Sequence, residues 1–584
     1  MATQKQMFPI TYKPGILRDG SPFQGSYSTG GQCVRFFRGQ PQNIGGMRNF
    51  IFKIIDPNAP LYGEIVIIPS GSYPSSLIIW YDELGQHVLV GISIANGNIP
   101  DVDLKTNLIH AIYNSEGQET FIEGYELTNN KDDPARLMQF ISVISDINNV
   151  HENLILALDR RIYVDITSNL PMQGGVVIKE VEYLPLEFPD FVFKEATGGM
   201  IYVGNRLFLY GNNGLVRWSS VAQEKSGQKT SVQKPFLFFE DKYSINISTD
   251  KVIYGAEWRG GTNTPTIIFW TLGSVILITN TTGSNNQLIT DPDDLSFSKK
   301  VLSRDSSILS SNSVVEYDGI FYWPGTQRFF VFNGVVLPLE NNLNRQTFFD
   351  SLDMTKRQKV FGVKNVSRDE IWWFYPEKGK DANVGCTRAV IYNVVDNTWY
   401  DTDIERDSGY FDNVSGNMYT SGKNLIPYTT PINKDFCYVW QHEVGNDQVN
   451  LVYNGEEGSD LAPVKPIPSF FTTPIISYAT FNPQKQVAGI DYNIAIERIE
   501  PNIVGTKKIK MTVSINTYEY PASTPVTATY NLTEDGELEN IIRPAINERK
   551  QGRNINFTFK SEGIGSGYQM GTTFVLAEID DGRP

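Results

Sequence analysis

Residues 313–339, SVVEYDGIFYWPGTQRFFVFNGVVLPL, constrain the fold more than any other stretch of this chain. Four short apolar runs are separated by three turn signals. Asp318-Gly319 divides residues 314–317 from 320–323, Pro324-Gly325 precedes 328–332, and Asn333-Gly334 precedes 335–339. Asp-Gly and Asn-Gly favour the tight hairpin turns whose two central residues need positive φ. The runs are rich in Val, Phe, Tyr and Trp, side chains that fit a pleated, half-buried surface. The stretch therefore reads as a four-stranded antiparallel meander, the size of one β-propeller blade.

The next stretch repeats the plan. Strands are expected at 360–364, 371–375, 388–393 and 398–401, with turns at 367–369 and 395–397 and a polar loop at 376–385. Two adjacent meanders point to repeated blades, with a β-sandwich of meanders as the competing arrangement. Further hairpins are expected at 153–166 and 200–220, and another meander at 252–279. If residues 51–453 form the propeller, six to eight blades would fit. Residues 132–150 carry a helical spacing of Leu137, Met138, Ile141 and Ile144, yet 140–145 (FISVIS) also reads as a strand, and both stay open. Residues 341–359 suit a short helix between meanders.

Beyond the propeller, 454–469 is charged and then Pro-rich, which suits a linker. Residues 470–584 alternate apolar and polar with period two, notably at 510–515 and 554–560, and suit a smaller β-sandwich-like domain. Residues 1–50 are Gly-punctuated and poor in apolar side chains. They read as an extended segment, at its simplest an arm pairing with a sheet edge, and, if it is a docking arm, one disordered before assembly. The expected fold class is all-β.

Composition excludes several functions. Across 584 residues the formal net charge is −15, which argues against a nucleic-acid binder that works by neutralising phosphates. An acidic wall past which DNA slides remains compatible with it, with repulsion screened over about 8 Å at physiological salt. No run of 18 apolar residues marks a membrane helix. The three cysteines (Cys33, Cys386, Cys437) are too scattered for a disulfide framework. The four histidines (His87, His110, His151, His442) show no zinc spacing, and no Gly-x-Ser-x-Gly elbow or phosphate-binding Gly motif occurs. The expectation is a chain that is not an enzyme and holds no cofactor. In the polar loop 280–295, Asn280 leads towards Asp291, Asp293 and Asp294. A solvated turn is the simpler reading there than a Ca²⁺ site.

Two groups of residues carry a resemblance. The first is Pro14-Gly15-Ile16, Arg18-Asp19-Gly20, Val34-Arg35-Phe36, Arg38-Gly39, Pro41 and Ile44-Gly45-Gly46. The second is Glu370-Ile371-Trp372-Trp373, then Tyr392-Asn393 and Trp399. Arg217-Trp218-Ser219 adds a weaker match, and the C-terminal residues a weaker one still. Together they resemble the tail nozzle, or packaged-DNA stabilisation, proteins of short-tailed bacteriophages. The resemblance implies a structural part of the virion tail, assembled in the host cytoplasm. Such a protein forms a homo-hexameric ring docked under an adaptor ring and portal, with tail fibres or spikes outside. The ring closes the DNA exit channel after packaging and passes DNA at ejection. On that reading Arg18, Asp19, Arg35, Phe36 and Arg38 belong to the docking arm. Asn280, Asp291, Asp293 and Asp294 would face the lumen as a gate loop. The alternatives are a glycan-binding or glycan-hydrolysing propeller tail protein, and a protein–protein scaffold with no viral role.

Overall fold

The computed structural model describes residues 5–22, 26–50, 72–82, 85–94, 108–113, 119–125, 127, 138–145, 150–156, 162–169, 179–204, 206–220, 236–240, 242–260, 266–280, 297–380, 385–423, 425, 438–449, 464–477, 493–505, 510–518, 524–532, 541–542 and 544–580. The fold is all-β, a β-propeller with a C-terminal β-sandwich-like domain.

Among the described residues the propeller has seven blades. Blades 1 to 6 are four-stranded antiparallel sheets at residues 72–125, 139–185, 199–246, 252–303, 315–339 and 361–406. Blade 7 is built on Ser408–Asp412, Asn417–Gly422 and Tyr438–His442, with Met47–Phe50 from the N-terminal segment as its fourth strand. A strand from the chain's start thus closes a ring otherwise made of later residues. The stretch at 313–339 is blade 5. Its strands are Val315–Tyr317, Ile320–Pro324, Phe329–Phe332 and Val336–Leu339, paired in sequence order. Asp318 and Gly319 take φ of 51° and 77° at the first turn, the geometry the Asp-Gly pair favours.

Each gap between blades holds an apolar cluster, and seven clusters account for seven gaps. Trp270, Trp323 and Phe332 join blades 4 and 5. Phe329, Trp373 and Trp399 join blades 5 and 6. Val88, Tyr419 and Val439 join blade 7 back to blade 1. Polar side chains add clasps. Gln139 of blade 2 pairs with both backbone groups of Met200 in blade 3, at 3.0 and 2.9 Å. The Trp373 indole of blade 6 donates to the Ser313 carbonyl before blade 5 at 2.9 Å.

The sandwich has two sheets. One carries the long pair Asn493–Gly505 and Tyr568–Asp580, extended by Gln6–Ile10, Gln40–Asn43 and Val34–Phe37. The other centres on Asn554–Ser561 between Ser469–Thr472 and Met511–Tyr518, with Gly30–Gln32 at one edge and Val526–Asn531 at the other. Val34, Phe36, Phe557 and Val575 share one core with Trp372 and Trp440 of blades 6 and 7.

The N-terminal arm thus pairs with sheet edges, as its simpler reading expects, and the free, disordered arm of the docking reading is corrected. The segment has too few apolar residues to fold alone, but Ile10, Ile16, Val34, Phe36, Ile44 and Met47 are each buried against strands from elsewhere in the chain. Residues 139–145 form a strand, not a helix. The 341–359 stretch holds a helix at Arg345–Ser351 and a 3-10 turn at Met354–Lys359. The end of the expected linker is strand: Val464–Pro466 pairs with Asp447–Val449 at the edge of blade 7.

Candidate functional site

Two places concentrate chemistry: the junction where the N-terminal segment meets blades 6 and 7, and the channel along the propeller axis.

The junction forms around Arg35. Its strand, Val34–Phe37, turns through Arg38 and Gly39, at φ 51° and 77°, into Gln40–Asn43. Arg35 is only 1% exposed and Phe36 fully buried. The guanidinium sits between two carboxylates, 2.8 Å from Glu370 and 2.5 Å from Glu443. Arg368 adds a contact to Glu443 at 3.2 Å. Glu370 also accepts from the Trp372 indole at 2.8 Å and from the Tyr400 hydroxyl. Burial alone would raise the Glu443 pKa, but Arg35 overrides it and holds the group at about 2. Burial pushes Glu370 up, against the pull of the same guanidinium. Neighbouring His442 is driven down to about 3, chiefly by burial, and stays neutral.

The rest of the first motif locks the same junction. A Cβ on Gly46 would lie 2.5 Å from the carbonyls of Val444 and Asp447, and one on Gly45 would lie 2.6 Å from the Glu443 carboxylate. Gly15, at φ +115°, lies where a Cβ would meet Leu343 at 2.5 Å. Arg18 pairs with Asp401 at 3.0 Å and donates to the Gly31 carbonyl at 2.9 Å. Asp19 accepts from the backbone N–H groups of Gln346 and Thr347 at 2.7 and 2.8 Å. It thereby satisfies orphan donors of the Arg345–Ser351 helix, whose own preceding residue Asn344 makes no side-chain cap. Arg38 lies over the Phe37 ring at 5.1 Å.

Of the expected arm residues, Arg18, Asp19, Arg35 and Phe36 are thus brought together as internal ties, not displayed for a partner. In the gate-loop set, Asn280 ends the strand Val275–Asn280 of blade 4. Asp291, Asp293 and Asp294 lie outside the described residues, as does Cys437. Sequence reasoning missed Glu443, Tyr400 and Asp401. Only the small residues at Gly45-Gly46 hinted that something bulky packs there. It also missed that the scattered histidines include a buried pair: adjacent strands of blade 1 bring His87 Nδ1 within 2.9 Å of His110 Nε2, and Tyr183 of blade 2 meets the other His110 nitrogen at 2.8 Å.

The channel is a cavity of about 410 Å³ lined by the first strands of six blades and, from blade 5, by Ser311, Asn312 and Val314 just before its first strand. A smaller chamber of about 170 Å³ adjoins it. The two share Met138, Gln139, Tyr254, Ser311 and Asn312, and the smaller also meets Lys251 and Arg357. Among the described lining residues of the larger chamber the only carboxylate is Glu257, whose partner Arg259 lies 3.2 Å away. Among the described residues no group of three His, Cys, Asp or Glu side chains is placed to hold a metal, and no helix is long and apolar enough to cross a membrane.

No family model and no curated protein matches the chain. Solved structures do. An exo-beta-1,3-galactanase from Phanerochaete chrysosporium, with galactose, matches at 12% identity and a TM-score of 0.24, over 70% of this chain and 100% of that one. A glycoside hydrolase family 43 arabinoxylan arabinofuranohydrolase from Bacillus subtilis, in complex with cellotetraose, matches at 10% identity and a TM-score of 0.24, over 88% and 96%. These neighbours are glycosidases, so the expectation of a chain without enzymatic activity is withdrawn. Likeness at this level carries neither substrate nor catalytic residues to this chain.

Proposed function

We propose that this chain is a subunit of the tail of a short-tailed phage, of the nozzle type, which closes the DNA exit channel and passes DNA at ejection. One observation carries the reading. The two motif groups behind the resemblance stand some 330 residues apart in sequence, and they meet in one buried cluster through the Arg35–Glu370 ion pair. Glu370 opens the Glu-Ile-Trp-Trp motif, and Trp372 donates to the same carboxylate. Residues that act as one structural unit are expected to recur together in a family. The formal charge of −15 per copy suits a wall that duplex DNA passes without adhering. The test is native mass spectrometry of the protein with the portal–adaptor complex of the same genome. Six copies bound per complex is the expected result, and a chain that ignores the complex would overturn the reading.

A second reading, a glycan-binding or glycan-hydrolysing propeller, is favoured by the channel. Its lining is rich in hydroxyl, amide and aromatic groups and poor in charge, the mixture that recognises sugars. Binding assays against neutral glycans test it.

A further inference from the structure

We infer that the larger axial chamber is a binding site for a neutral, hydroxyl-rich ligand of mono- to disaccharide size. The inference rests on the second reading above and is independent of ring assembly.

A volume of about 410 Å³ falls within the ~300–1,000 Å³ of small-ligand sites. The polar groups around it divide into two sets. Most are committed to bonds between or within blades. Ser76 donates to the Met138 carbonyl, Gln139 is held by Met200, and Ser408 pairs with Ser421 at 2.6 Å. A second set is uncommitted. Tyr254 and Tyr410 both line the chamber, and among the described residues neither hydroxyl has a hydrogen-bond partner. Asn312 donates to the Ser75 carbonyl and accepts from Ser311 only at 3.5 Å, the outer limit of such a bond. Blade 5 thus extends a loosely held amide across the axis towards blade 1.

These groups fix the ligand class. Phenol hydroxyls and an amide donate and accept, so they suit vicinal hydroxyls. Tyr254, Tyr410 and Phe140 add aromatic surface to the lining, the apolar partner of a sugar's C–H groups. Burial raises both phenols, Tyr254 and Tyr410, to about 12, so both stay neutral donors. Among the described residues lining this chamber the one charged group is Glu257, which faces Arg259, and none is a cation for an acidic sugar; Lys251 and Arg357 line the adjoining chamber.

The test uses the full chain. Calorimetric titration would measure binding of cellobiose, maltose and lactose, with glucuronic acid as the charged comparison. The expected result is one-to-one binding of at least one neutral disaccharide, weakened about 10-fold in a Tyr254→Phe/Tyr410→Phe double variant of unchanged Tm, as two lost hydrogen bonds imply. Should that variant fail to fold, photo-crosslinking of the wild type with a diazirine-bearing form of the bound disaccharide decides the site by labelling the first strands of the blades. Neutral-sugar binding unaffected by the variant, or labelling elsewhere, would overturn the chamber as the site and leave the glycan reading standing. No binding of any of the neutral sugars at millimolar concentration would overturn both. Preference for glucuronic acid would overturn the ligand class.

Discussion

Arg35 is one cation serving two buried carboxylates. Removing one partner of such a cluster strands the others without solvent. Arg35→Ala is therefore expected to destabilise the chain by about 3–5 kcal/mol, measured by chemical denaturation. Gly46→Ala is expected to cost about 1–3 kcal/mol, because the obstacles are backbone carbonyls that cannot rotate aside. The junction also sets an acid response. Glu443 falls from an ordinary 4.5 to about 2, so its contribution is complete above about pH 4.5 and disappears as pH falls towards 2. His442 falls from 6.5 to about 3, so the unfolded chain binds more protons between those values and stability drops as pH falls through that window. Both effects have the same sign. Burial raises Glu370 and, to about 7, Asp407, and these work the other way above about pH 4.5, so thermal melts should show Tm declining below about pH 4, and a flat profile there would contradict this account. At this scale the sequence was partly legible. It singled out Arg18, Asp19, Arg35 and Phe36, but no local pattern marks Glu443, which reaches Arg35 only because blade 7 closes beside blade 6.

At the scale of elements, turns and aromatic runs were the clearest text. Blade 5 could be read from Asp318-Gly319, which supplies the pair of positive φ a tight hairpin needs, while at Asn333-Gly334 only the glycine takes positive φ, within a three-residue turn. Residues 139–145 were ambiguous because a short apolar run fits either period, and pairing with Val150–Leu156 decides for strand. Trp373 shows what the aromatics do: it packs on Phe329 at 5.3 Å and Trp399 at 6.0 Å. Trp373→Ala is expected to cost about 3–5 kcal/mol and to loosen blade 5 from blade 6, visible as faster amide exchange in both. Pairing of the N-terminal segment with a sheet edge was legible, but its disorder as a docking arm was not borne out, because its few apolar residues look insufficient until their partners are known. Limited proteolysis of the free protein should leave residues 5–22 and 26–50 protected, and early loss of that segment would contradict its place in both sheets of the sandwich.

At the scale of the whole molecule, the seven-bladed ring of the described residues is closed by its own N-terminal strand, and the same segment completes the sandwich beside it. The all-β class and the division into propeller and smaller domain followed from periodicity. The blade number did not, since loops of uneven length hide the repeat. Ring assembly lies further off, because the surfaces that would join copies leave no pattern as clear as a hairpin turn. The most direct test of the nozzle reading is electron microscopy of the purified protein, alone and mixed with the portal–adaptor complex from its own genome. Sixfold rings with a central opening, seated on that complex, are the predicted result. Single particles or trimers that leave the complex bare would contradict it.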